Sequence, residues 1–68
     1  MNIGEAVKHI KKKYPSVTIS RLRFLEKEGL ISPKRSKGGT RYFTSKDIDR
    51  IIKILNLLIS LYQAKLML

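Results

Sequence analysis

Residues 18 to 43, TISRLRFLEKEGLISPKRSKGGTRYF, decide the fold. Ile19, Leu22 and Leu25, joined by Leu30, predict an inward apolar stripe on a helix over residues 18–28. Thr18 is its N-cap, and Gly29 stands just past its end, where left-handed backbone is common. Ser20, Arg21, Lys27 and, on an intermediate face, Arg23 then point outward. Residues 31–35 and 40–43 read as two short strands, with Lys37-Gly38-Gly39 supplying the positive φ of a tight turn. Lys34, Arg35, Lys37 and Arg41 share that small protrusion, and no acid occurs between Glu28 and Asp47. Such a basic helix followed by a basic hairpin suits contact with phosphates or a groove better than it suits a solvated loop.

The flanks complete a helical frame around this stretch. Upstream, Ile3, Ala6, Val7 and Ile10 recur at helical spacing over residues 3–13, with Asn2 as N-cap and Tyr14-Pro15 as the stop. Lys11, Lys12 and Lys13 suit the negative end of that helix and are equally placed for phosphate contact. Ser16-Val17 makes the turn, so residues 3–28 form a helix-turn-helix. Downstream, Thr44 and Asp47 spell a capping box that opens a third helix. Ile48, Ile51, Ile52, Leu55 and Leu58 or Ile59 give its core-facing stripe. Ile54, Leu57 and Leu61 add a second apolar face, more than one small domain hides, which calls for a partner helix. The helix either continues to about Lys65 or breaks near Ser60, where Ser60 and Gln63 offer another capping box.

Composition sets the outer limits. Sixty-eight residues make one small domain, able to bury only roughly 60% of the surface its unfolded chain exposes. With no cysteine, disulfides and thiolate metal sites are excluded, and His9 alone lacks partners for a metal. No cofactor is expected. Fifteen Lys and Arg against five Asp and Glu leave a net charge of +10, which a polyanion relieves. The N-terminus lacks a signal-peptide pattern, and the most apolar run, residues 54–62, falls short of the roughly 20 residues a membrane span needs. A cytoplasmic, nucleoid-associated protein is expected. An enzyme is disfavoured: the carboxylates are dispersed, and no nucleophile or phosphate-cradling glycine motif stands near His9.

Taken together, Leu22-Arg23-Phe24-Leu25-Glu26-Lys27-Glu28-Gly29-Leu30-Ile31, Pro33, Gly38-Gly39-Thr40-Arg41-Tyr42-Phe43-Thr44 and Asp47-Ile48 resemble the head of MerR-type transcription regulators. The resemblance covers about residues 3–58 and extends to Ile3-Gly4-Glu5. The longer connection over residues 14–20 is similar to a subgroup associated with cell-division genes. It implies a mainly α winged helix-turn-helix with a small β-hairpin, followed by a C-terminal helix. The second helix then enters the major groove and the hairpin, or wing, grips the neighbouring backbone or minor groove. Arg23 and Arg41 match phosphate-contacting positions, while Thr18, Ser20 and Arg21 lie where base edges are approached. Lys27, Lys34, Arg35 and Lys37 complete the expected DNA-binding set. The sequence departs from the family at Phe24 and Leu25, where two tyrosines are common, and at Thr40, which replaces a tyrosine. The long coiled coil and effector domain have no counterpart in these 68 residues, so no small-molecule effector is expected in this chain.

The expected function is sequence-specific binding of double-stranded DNA by a dimeric regulator on an inverted repeat. Residues 3–58 would form the DNA-binding domain and residues 59–68 an extension. Ile54, Leu57, Leu58, Leu61 and Tyr62 are the candidate dimer contacts, unless this surface meets residues of a longer protein. An excisionase-like or architectural DNA-binding protein would use the same residues and differ in DNA deformation. A membrane-surface or protein-interaction peptide accounts for the charge and the apolar tail but leaves Gly29, Gly38-Gly39 and Arg41 without purpose. RNA binding fits poorly, since the aromatics are scattered.

Overall fold

Three helices and one hairpin follow in the order α1 (Ile3–Lys11), α2 (Ile19–Lys27), β1 (Lys34–Arg35), β2 (Arg41–Tyr42) and α3 (Ser45–Met67). The structure is a computed structural model that describes the backbone of residues 1–67 and the side chains of residues 1–64. It is the mainly helical winged helix-turn-helix expected from the sequence.

Each helix begins on a side chain that satisfies its free N–H groups. The Glu5 N–H donates to Asn2 Oδ1 at 2.8 Å and the Asn2 N–H to Glu5 Oε1 at 3.1 Å, a capping box that goes beyond the expected Asn2 cap. The Arg21 N–H donates to Thr18 Oγ1 at 3.1 Å. At α3 the Thr44 N–H donates to Asp47 Oδ2 at 2.8 Å and the Asp47 N–H to Thr44 Oγ1 at 3.2 Å. Gly29 closes α2 with φ +76: its N–H donates to the Glu26 carbonyl and the Leu30 N–H to the Leu25 carbonyl, a Schellman turn.

The core lies where α1 packs against both α2 and α3. Ala6, Val7 and Ile10 meet Leu22, Leu25, Ile48, Ile51 and Leu55, while Val17, Ile31 and Phe43 seal it from the connections. Ile19 and Leu30 are not part of this layer, being 39% and 40% exposed. Their chain neighbours Val17 and Ile31 occupy the interior instead, because the backbone at each end of α2 turns toward the core one or two residues outside the expected stripe. Leu58 and Ile59 are also exposed, since the head beneath α3 ends at Leu55.

The remaining differences lie at element ends. Helix α1 stops at Lys11 rather than Lys13, where the N–H groups of Lys13 and Tyr14 both turn back to the Ile10 carbonyl. Both strands are two residues long, pairing Lys34 with Tyr42 and Arg35 with Arg41. Pro33 has no N–H to extend the ladder on one side. On the other, Phe43 leaves for the core and pairs with Met1 in both directions: the Phe43 N–H donates to the Met1 carbonyl at 2.7 Å, and the Met1 ammonium to the Phe43 carbonyl at 2.8 Å. In the turn, the Gly39 N–H donates to the Ser36 carbonyl, and Gly39 rather than Gly38 takes the positive φ, +83. Helix α3 runs through Ser60 without a break. Its 23 residues span about 34 Å at 1.5 Å each, which explains a molecule 47 Å long and only 24 by 19 Å across.

Candidate nucleic-acid interface

Helix α2 sorts its side chains by the helical rotation of about 100° per residue. Leu22 and Leu25 face the core, so Ser20, Arg23, Phe24 and Lys27 fall on the opposite face, and all four are exposed. Two residues sit on its flanks. Arg21 lies about 100° round from Ser20, toward Tyr14 and Tyr62 rather than among Arg23 and Lys27. Glu26 lies on the other flank, toward the hairpin. Thr18 is exposed, but its hydroxyl oxygen is occupied as the cap, leaving the O–H hydrogen to donate.

The hairpin brings Lys34, Arg35 and Lys37 to the surface and holds Arg41 half-buried beside α2. Glu26 joins the two elements. Its Oε1 accepts from Arg41 Nε at 2.6 Å and its Oε2 from Arg35 Nη2 at 3.3 Å. Arg35 also reaches the hairpin tip, where Nη1 donates to the Gly39 carbonyl at 3.0 Å. These contacts escape sequence reasoning, because Glu26 lies nine and fifteen residues from its partners and a Glu on an exposed helix ordinarily signals only solvation. The cationic cluster itself is legible in the sequence; the acid that organises it is not.

A second feature lies where α3 leaves the head. A groove of about 410 Å³ is lined by Tyr14, Val17 and Phe24 together with Leu55, Ile59 and Tyr62. Ile59 and Tyr62 continue the line of Ile51 and Leu55 along α3. Leu58, 40% exposed, also lines this groove, while Leu57 and Leu61, 61% and 59% exposed, form another stripe more than about 100° away from Leu55. Ile54, at the root of that stripe, is already half-buried against the chain's own core. Among the described residues no group of His, Asp and Glu is gathered to hold a metal, and no helix is long and apolar enough to cross a membrane.

A three-helix head with a cationic hairpin beside its second helix defines the class of winged helix-turn-helix regulators. Residues 1–61 match the family described as MerR HTH family regulatory protein, and the chain belongs to that family. It is 46% identical over 55 residues to uncharacterized HTH-type transcriptional regulators of Mycobacterium tuberculosis and Mycobacterium bovis, covering 81% of this chain and 22% of each of those proteins. It is also 40% identical over 37 residues to the HTH-type transcriptional regulator GlnR of Bacillus anthracis, covering 54% of this chain and 29% of that protein. The chain thus corresponds to less than a third of the length of these relatives.

Proposed function

We propose that this chain is a sequence-specific, double-stranded-DNA-binding transcription regulator that acts as a homodimer on an inverted repeat in the cytoplasm. The observation that carries this reading is the joining of the exposed α2 face to the cationic hairpin through Glu26, which makes one continuous DNA-facing surface of two elements. Thr18, Ser20 and Arg21 approach base edges from the start of α2, with Arg21 reaching over from the flank. Arg23, Lys27, Lys34, Arg35, Lys37 and Arg41 contact phosphates and fix the register. Residues 3–58 form the DNA-binding unit and residues 59–68 its extension.

Dimerisation is supported by charge as well as by apolar area. Between Lys53 and Lys65 the sequence carries no charge, in a chain whose net charge is +10. Two copies that pair through Leu57, Leu58, Leu61 and Tyr62 therefore meet on the segment where their mutual repulsion is least. A symmetric pair also doubles the contacts that one head makes and reads a palindrome.

The test is sedimentation equilibrium of the purified chain, alone and with an inverted-repeat duplex library, followed by sequencing of the retained DNA. A dimer that enriches one palindrome is expected. A monomer that retains all duplexes alike, and only at low salt, overturns the reading in favour of an architectural protein.

A further inference from the structure

Glu26 presents an electrostatic puzzle. It places a carboxylate between the two elements that face a polyanion, where by Coulomb's law it opposes binding. Its geometry answers the puzzle. The wing has only two residues per strand, and a hairpin that short does not hold its own orientation. Glu26 is anchored in the last turn of α2, where its backbone carbonyl accepts the Gly29 N–H, and its two carboxylate oxygens reach different wing arginines. Through Arg35 the connection runs on to the Gly39 carbonyl at the wing tip. Arg41 is gripped by its Nε edge, and neither of its Nη atoms has a protein hydrogen-bond partner among the described residues. The guanidinium is thereby oriented while most of its donors stay available.

We propose that Glu26 is a positioning residue for DNA recognition: it sets the wing against the recognition helix and orients Arg41 for phosphate, so an acid strengthens the binding of an anion. This rests on the DNA-binding reading above. Charge and geometry make opposite forecasts. Glu26→Gln raises the net charge to +11 and keeps one acceptor, and Glu26→Asp keeps the charge but is one methylene too short to span both arginines.

The experiment compares the full chain with both variants on two probes, the duplex retained from the inverted-repeat library and an unselected random duplex, by fluorescence anisotropy. Both variants are expected to bind the retained duplex about tenfold more weakly, the size of one charge-assisted hydrogen bond. Random duplex, which offers Arg41 the same phosphate, is expected to bind both variants more weakly as well, by less in Glu26→Gln, which gains a unit of positive charge. In the free protein, trypsin is expected to cut after Lys37 faster in both variants, with thermal unfolding unchanged, which separates a loosened wing from a damaged fold. Binding of the retained duplex by Glu26→Gln that equals or exceeds wild type overturns the proposal. If the wild-type chain binds no duplex, the underlying reading falls and the positioning role with it; if Arg41→Ala weakens binding while both Glu26 variants do not, only the positioning role falls.

Discussion

In the proposed reading, Arg41 and Ser20 share one DNA-facing surface with different tasks, one anchoring and one discriminating. Removing Arg41 or Arg23 deletes a phosphate contact that any sequence offers. Each Ala variant should lose affinity on every duplex and lower the slope of log K against log salt by about one unit. Ser20→Ala and Arg21→Ala should instead cost about 1 to 3 kcal/mol at the preferred site with little change on random DNA. A salt titration of the four variants on both duplexes separates the two patterns, and equal losses on both DNAs for Ser20 or Arg21 would remove the base-reading assignment. At this scale the cations were legible from composition and spacing. What stayed hidden was pairing across nine and fifteen residues by Glu26, and the rotation of Arg21 off the Arg23 and Lys27 face. The first depends on how separate elements meet, which no local pattern encodes; the second follows from helical rotation once Leu22 and Leu25 are both set inward.

Among the elements, the helix starts were the most legible features, because a cap is local chemistry: Thr18, Thr44 and Asp47 act within three residues of the groups they satisfy. Gly29 was legible for the same reason. Strand length was not, since it was set by Pro33 on one side and by the departure of Phe43 to the core and Met1 on the other. The glycines give a matched test of this distinction. Gly29 has φ +76, and Gly38, which does not take a positive φ, has open space around its Cα. Gly29→Ala should therefore destabilise by about 1 kcal/mol, lowering the melting temperature by roughly 4 to 8 °C in a domain of this size. Gly38→Ala should not lower it and, through the unfolded-state effect of about 0.4 to 1 kcal/mol, should raise it by roughly 2 to 8 °C. Calorimetry of the two variants checks both; equal shifts would mean that the Schellman turn contributes nothing special.

At the scale of the whole molecule, apolar periodicity located the core on α1 and α3 but overestimated how far it reaches. Ile19 and Leu30 fit a helical stripe and yet lie outside the packed layer because the backbone turns inward at Val17 and Ile31, and Leu58 and Ile59 because the head beneath α3 ends at Leu55. The continuous α3 then gives the molecule a property that belongs to none of its parts. It begins two residues after Phe43 at the base of the wing and continues without interruption into the uncharged segment proposed to pair with a second copy. It is a shaft with a fixed phase, and whatever angle the pairing sets at one end is delivered to the wing at the other. One residue inserted after Asn56 would turn the head by about 100° relative to the pairing segment, and seven would return it to within roughly 20° while lengthening the arm by about 10 Å. Affinity for the selected repeat should accordingly vanish with one inserted residue, and tight dimeric binding should return with seven, on a repeat whose half-sites are set farther apart. The spacing of the operator would then be written in the pitch of an α-helix.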